Sequence, residues 1–374
     1  MSLSAIPVLY YHRVNPIDRR LAVRPEVFAA QMERLARAGW RGLHAAELLS
    51  CLETGRAPER ALVITFDDGF ADNWYRAYPI LARVGLRAMI FLVTERVWEG
   101  EARPGDQAGL EGGPPWRRFN EANKAFLRGD PADYLNTGEV RAMAASGLIE
   151  FGSHTSTHAP AFASGRLQGF VLSPEPHWAR LMLAGINPAP GEPLFEWASA
   201  VTVRRYFPDP AHRRALVAEA EKAGGFAAIA RDGKEAWRKT LRARAAALGP
   251  AGEKFEGPAE AERRILADLA GSRAEVERVT GRPCAALCWP WGHYSDLALA
   301  AARRAGYALA FTTETGAIRP GQDPLVLPRL RVSGRTSPAL LAAMVSALAR
   351  RPLAWMAAGV AGSKRVRQIL PPDR

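Results

Sequence analysis

The sequence predicts an α/β fold, with strands and helices alternating around a barrel-like parallel sheet. Three observations lead there. Ala61–Phe66 (Ala-Leu-Val-Ile-Thr-Phe) is a near-continuous apolar run, the pattern of a strand buried on both faces. Val27, Phe28, Met32, Leu35 and Ala36 recur at helical spacing between Pro25 and Gly39, so a helix precedes that strand. A second helix over Asn73–Val84 and a further strand over Arg87–Val93 follow it. Strand, helix and strand in repetition imply parallel pairing with right-handed crossovers.

The remaining elements fall in order. Ile6–Tyr11 is the first strand. Thr137–Ser146 reads as a helix with Thr137 as its N-cap, and Leu148–Gly152 as the strand after it. The alternation resumes with a helix over Ala259–Thr280, a strand over Ala285–Trp289, a helix over Ser295–Gly306 and a strand over Ala308–Thr312. Two stretches interrupt it. Residues 97–136 are rich in Gly, Pro and charge, and residues 159–258 read as helical and basic with Pro and Gly breaks. Both are taken as insertions into one domain spanning 1–345, followed by a basic tail over 346–374. There is no internal repeat.

Composition bounds the function. No apolar run approaches the roughly 18 residues of a membrane span. The N-terminus lacks a basic segment and its apolar run stops at His12, so a cytoplasmic protein is expected. Cys51, Cys284 and Cys288 are too few and too irregular for a disulfide framework or a structural zinc site. The net charge is +12, concentrated in 201–250 (11 Lys/Arg against 5 Asp/Glu) and 346–374 (6 against 1). Such patches suit nucleic acid, anionic lipid or a phosphorylated substrate, or are solvated helix faces. No nucleic-acid motif accompanies them, so no nucleic-acid partner is expected.

Two constellations carry chemistry. Thr65-Phe66-Asp67-Asp68-Gly69-Phe70 puts adjacent carboxylates at the C-terminal end of a buried strand, the active end of α/β folds. Adjacent residues leaving a strand point apart, so one can bind a metal while the other faces a water; a helix N-cap pair is the alternative. Gly152-Ser153-His154-Thr155-Ser156-Thr157-His158 spaces two histidines for one face of a helical turn. Two His and one carboxylate form a catalytic metal set that leaves positions open for water and substrate.

These motifs resemble the first two motifs of the polysaccharide deacetylase family, the NodB-homology domain. Pro7-Val8-Leu9-Tyr10-Tyr11-His12-Arg13-Val14, Trp289-Pro290-Trp291-Gly292 and Ala310-Phe311-Thr312-Thr313 resemble its poly-N-acetylglucosamine deacetylase subgroup. The resemblance covers about 5–96, 137–160 and 259–335. It implies a distorted (β/α) barrel of seven strands. It also implies hydrolysis of an N-acetyl group, or of an O-acetyl or other acyl group, from a sugar in a glycan. Asp67 matches the general base, and Asp68, His154 and His158 match the metal ligands, usually for zinc. The backbone N–H of Trp291 matches the oxyanion donor.

Two departures follow. The arginine that orients the base in many relatives is replaced by Cys288, and Arg329 in Leu327-Pro328-Arg329 is the candidate substitute, a plain core-edge arginine being the alternative. The late Leu-x-His motif that supplies the acid is absent. His12 at the end of the first strand is the candidate acid, His293 the second choice, and a merely packed His12 the bland alternative. His44, His177 and His212 read as structural or exposed. Trp289, Trp291, Tyr294 and Trp74 are candidates for a sugar groove or for the core. A catalytically inactive glycan- or lipid-binding module on the same fold is the competing function, and the intact Asp67, Asp68, His154 and His158 set argues against it.

In the tail, Ser337–Ala349 reads as an amphipathic helix. Beyond it, cations flank a short apolar stretch holding Leu353, Trp355, Met356 and Val360. That pattern suits an interfacial helix on the anionic inner face of the cell membrane, and with it a lipid-linked substrate. A helix that closes the barrel is the alternative.

Overall fold

The computed structural model describes residues 5–17, 21–104, 117–252 and 254–349. Two compact units share the chain. The larger takes the residues up to Thr157 and most of those from Leu266 on; the smaller is mainly His158–Ile265.

In the larger unit, β1 (Ile6–Tyr11), β2 (Ala61–Phe66), β3 (Ala88–Leu92), β4 (Ile149–Ser153), β5 (Ala286–Cys288), β6 (Leu309–Phe311) and β7 (Ala317–Ile318) form a curled sheet. Its order is β6-β5-β4-β3-β2-β1-β7. A short β8 (Leu330–Arg331) also pairs with β1, and Arg41–Gly42 with β2. Every pairing of this sheet is parallel except β1 with β7. This is the distorted (β/α) barrel that the family resemblance implies, with seven strands along its path.

Parallel register aligns the strand ends. Tyr11 faces Phe66, Phe66 faces Ile90, Leu92 faces Ser153, Ser153 faces Leu287 and Cys288 faces Phe311. His12, Asp67, His154 and Trp289 therefore leave the sheet on one rim. Alternation along β2 explains its continuous apolarity. Val63 joins a core cluster with Val8, Met89, Phe91 and Cys288, while Phe66 packs on Tyr11 and on Phe28 of helix α1 (Pro25–Arg37).

Several elements differ in detail from expectation. The helix expected from Asn73 opens with a π-helical turn, Asn73–Ala77, before α2 (Tyr78–Val84). Helix α3 (Thr137–Ala145) is capped by Asn136, not Thr137. The Asn136 side chain accepts from the Glu139 N–H (2.9 Å), and the Glu139 carboxylate accepts from the Asn136 N–H (3.1 Å). This reciprocal box satisfies two N-terminal donors. Thr137 instead donates its hydroxyl to Glu99. The first insertion contains a helix, Phe119–Leu127.

The second insertion is not simply helical. It holds an antiparallel hairpin, Pro160–Phe170 with Pro193–Ser199, beside helices Trp178–Ala184, Pro210–Lys222, Gly225–Asp232 and Lys234–Leu248. Its own core joins Phe170, Leu216, Ile229, Trp237 and Leu241. The hairpin register shifts twice, which breaks the period-two pattern that would mark a strand. Lys234, Lys239 and Arg242 are exposed, so that part of the basic excess is a solvated helix face.

Helix α4 (Pro258–Thr280) leads back to β5, α5 (Asp296–Arg304) joins β5 to β6, and α6 (Pro338–Ala349) closes the described chain. In α6, Leu341, Val345 and Leu348 form one buried stripe, and the helix packs on α1 and β1. From residue 350 the tail, with the interfacial-helix expectation, lies outside the described residues. Among the described residues no helix is long and apolar enough to cross a membrane.

Gly152 shows how tightly β4 is held between its neighbours. A Cβ there would lie 2.5 Å from Phe91 Cε1 and 2.8 Å from the Ala286 carbonyl oxygen. Gly152→Ala is expected to cost about 1–3 kcal/mol by overpacking. Denaturant unfolding checks this, and unchanged stability would mean that β3–β5 yield freely.

Candidate active site

β2 ends at Phe66, and the Asp67 N–H still donates to Tyr11 O (3.0 Å), so Asp67 is held as part of the sheet. Asp68 (φ 74°) and Gly69 (φ 69°) then turn left-handed. This turn separates two consecutive carboxylates, both buried. A Cβ on Gly69 would meet Leu92 Cδ2 at 2.8 Å, so the turn also needs the missing side chain.

Asp67 is locked by Arg329. The fully buried guanidinium donates to both carboxylate oxygens, Nη1 to Oδ1 at 2.7 Å and Nη2 to Oδ2 at 2.8 Å. It also donates to Thr65 Oγ1 (3.0 Å), Thr312 O (2.8 Å) and Cys288 Sγ (3.1 Å), and lies over the Tyr10 ring. Burial alone would raise the Asp67 pKa. The Arg329 charge and hydrogen bonds, with smaller help from His154 and His12, outweigh it and hold the carboxyl at about 2. Cys288, at the position where the resemblance expects arginine, leaves room for this guanidinium. Burial pushes its thiol well up, so it stays a neutral SH.

His154 and His158 do not share a helical turn, contrary to the sequence expectation. They stand at the ends of an irregular loop in which Thr155 (φ 69°) and His158 (φ 55°) are left-handed. Local hydrogen bonds hold its shape. His154 N–H donates to Leu92 O, Thr155 N–H to Ser153 Oγ, and Ser156 N–H to Asp268. The Thr94 and Glu95 N–H groups donate to Thr155 O and Ser156 O. The period of four was real, but its backbone was not helical.

One ligand atom each from Asp68, His154 and His158 lies within 4.8 Å of the others, and all three residues are buried. His154 Nδ1 is 2.7 Å from Cys288 O; a carbonyl only accepts, so Nδ1 carries the proton and Nε2 keeps its lone pair, 3.8 Å from Asp68 Oδ1. Burial outweighs Asp67 and Asp68 and lowers the His154 pKa, favouring the neutral ring that a metal needs. Asp67, His154 and Cys288 form a second such group. It fits an ion less well, because Arg329 already holds both Asp67 oxygens and Cys288 is a protonated thiol. The Asp68, His154 and His158 donor set fits a divalent ion.

His12 is half-buried on the same rim, one residue beyond the Tyr11–Phe66 pairing. Its carbonyl accepts from Asn73 Nδ2 (3.1 Å), and its ring lies edge-on to Phe119. Trp291 sits in a short 3-10 turn with left-handed backbone (φ 55°). Its carbonyl accepts from Thr313, and its half-buried ring lies near His293. Trp289 is core, fully buried with Nε1 donating to Leu325 O, and Tyr294 is buried with its hydroxyl on Glu314. These two offer no open groove face, whereas Trp291 and Trp74 are half-buried. His44 and His177 contact backbone groups, and His212 is buried.

Sequence reasoning missed Arg96, buried 3.7 Å from Asp68 Oδ1, and the Tyr134 hydroxyl to which it donates. It also missed buried Arg13, paired with Asp72 and Asp133 next to His12. The burial and pairing of these arginines leave no pattern in the sequence, because tertiary partners set them. Among the described residues, five non-glycine residues have positive φ, and four of them, Asp68, Thr155, His158 and Trp291, are here. Each costs about 1–3 kcal/mol and persists only where surrounding structure imposes it.

The fold and this rim define a class: an α/β barrel with a buried, metal-capable Asp-His-His set beside an arginine-locked carboxylate. Residues 54–170 match the polysaccharide deacetylase family. YxkH of Bacillus subtilis (strain 168), a polysaccharide deacetylase by name, is 34% identical over 93 residues, 25% of this chain and 33% of its own length. The chain thus spans a third of the curated relative it matches. A de-N-acetylase from Aggregatibacter actinomycetemcomitans superposes with TM-score 0.56 at 17% identity, over 90% of this chain and 98% of that one. The BpsB deacetylase domain from Bordetella bronchiseptica gives 0.54 at 18%, over 88% and 96%. These structural likenesses establish the fold. The polysaccharide deacetylase match thus rests on residues 54–170, which hold Asp67, Asp68, His154 and His158, and the fold is the one these solved deacetylases share.

Removing Arg329 should expose the cost of the buried Asp67 charge. Arg329→Met is expected to destabilise the protein by about 3–5 kcal/mol, and Asp67→Asn added to it should recover a large part. Denaturant unfolding of the two single variants and the double checks this; additive effects would mean that the pair is not coupled.

Proposed function

We propose that the chain is a metal-dependent deacetylase that hydrolyses an N-acetyl group from a sugar in a glycan, with an O-acetyl or other acyl group as the lesser alternative. One observation carries the reading: two consecutive carboxylates have separate partners, Asp67 with Arg329 and Asp68 with the two histidines. The match of residues 54–170 to the polysaccharide deacetylase family supports it. Asp68, His154 and His158 would hold a divalent ion, zinc by preference for a His-rich set. Bound there, such an ion supplies Lewis-acid polarisation of the acyl oxygen and acidifies a water.

The chain's own groups supply the rest. Asp67, ionised at any physiological pH, accepts the proton of the attacking water, and Arg329 fixes both of its oxygens in position. Arg329 holds the Asp67 carboxyl below its usual range, which favours passing that proton on. His12 is the group assigned to protonate the leaving amine. The Trp291 N–H, in a left-handed turn, is assigned to the developing oxyanion. Trp291 and Trp74 are the half-buried rings available to a sugar face.

Acetate release from short N-acetylglucosamine oligomers and from lipid-linked sugars, with zinc or chelator, tests the reading and separates the two substrate classes. Activity should vanish with chelator and return with zinc. Asp67→Asn should keep its metal and lose turnover by about 10²-fold or more. An Asp67→Asn protein turning over at the wild-type rate would remove Asp67 from the mechanism. His12→Ala should lose about 10²–10⁴-fold with metal content unchanged, since general-acid help is worth that much; full activity would pass the acid role to another group.

A further inference from the structure

Arg96 has no place in the mechanism above, yet it is buried against the centre. It ends the 3-10 turn Thr94–Arg96 that follows β3. That turn runs along the His154–His158 loop, with the N–H groups of Thr94 and Glu95 donating to Thr155 O (3.2 Å) and Ser156 O (3.0 Å). From there the guanidinium reaches inward. Nη1 lies 3.7 Å from Asp68 Oδ1 and donates to the Tyr134 hydroxyl at 3.2 Å. The rings of Tyr134 and Phe126 lie 5.1 and 5.7 Å from its centre. Arg96 and Asp68 are each about 3% exposed, so water screens this pair little. The same Asp68 oxygen lies 3.8 Å from His154 Nε2. A guanidinium and a metal-ligating imidazole thus face one carboxylate oxygen.

A guanidinium does not lose its proton in a protein, so its charge is permanent. Two consequences follow. Without an ion, a buried carboxylate among imidazoles needs a counter-charge, and Arg96 supplies one. With a divalent ion on Asp68, a fixed cation on the same oxygen repels the ion and draws charge away from it.

We infer that Arg96 is a positioning residue that acts through Asp68: it keeps the donor set assembled without metal, and it weakens the hold on the divalent ion. The inference rests on Asp68 being a metal ligand. Its substrate-side consequence is an ion that withdraws more charge from whatever oxygen it contacts.

The test uses full-length protein stripped with chelator. Zinc is titrated in competition with a chromophoric chelator, so the readout is a dissociation constant. Arg96→Gln and Arg96→Met are both neutral, and Met suits the space between the two rings if Gln does not fold. Either is expected to bind zinc about tenfold more tightly than wild type, from the loss of one nearby charge at intermediate dielectric. Arg96→Lys keeps the charge and should stay within about threefold of wild type. The metal-free neutral variants should melt earlier than wild type and gain more from zinc. Unchanged or weaker zinc affinity in the neutral variants overturns the role of Arg96. His154→Ala in the same titration separates the two failures. If it binds zinc like wild type, the metal-site reading falls; if it loses zinc while Arg96→Met is unchanged, only this inference falls.

Discussion

The buried Arg329–Asp67 pair is the interaction around which the rim is arranged. It joins the connection into β8 to the end of β2, and the same guanidinium reaches Thr65, Thr312 and Cys288. A buried ion pair gains little net stability by itself. Its value here lies in position: both oxygens of Asp67 are held, so the neighbouring Asp68 alone is left to the histidines. Chemical difference between identical neighbouring residues arises from their partners, and the left-handed backbone at Asp68 and Gly69 makes that division possible.

A second constraint is the parallel register. Because five strand ends align, residues from 12 to 289 in sequence meet on one rim without long side-chain reach. Backbone strain gathers there as well. Left-handed φ at Asp68, Thr155, His158 and Trp291 is tolerated because the sheet and helix α4 hold the loops by hydrogen bonds, such as that from Ser156 N–H to Asp268. Rigid strands thus support irregular loops, and the irregular loops aim the side chains.

Much of this was legible in the sequence. The apolar run Ala61–Phe66 and the alternation around it carry the fold, since burial on both faces leaves a direct compositional trace. Asp67, Asp68, His154 and His158 were legible because their types and strand-end placement state a chemistry. Their backbone was not: the i, i+4 spacing of the histidines mimics a helix, and only the hydrogen bonds of the loop decide otherwise. Arg329 could be named from its neighbours Leu327 and Pro328, but its bidentate grip depends on a contact 262 residues apart. The hairpin of the second insertion was hidden by its register shifts. Arg96 and Arg13 were invisible because burial of a charged residue is set by its tertiary partners.

The central claim is that any ion belongs to Asp68, His154 and His158, while Asp67 stays with Arg329 and Cys288 stays a thiol. Zinc K-edge X-ray absorption on zinc-loaded protein tests it directly, because sulfur neighbours scatter differently from nitrogen and oxygen ones and imidazole rings add their own outer-shell scattering. The account predicts nitrogen and oxygen neighbours only, at about 2.0–2.2 Å, with two of them imidazoles. A sulfur neighbour at about 2.3 Å would place the ion on Cys288 and contradict the account.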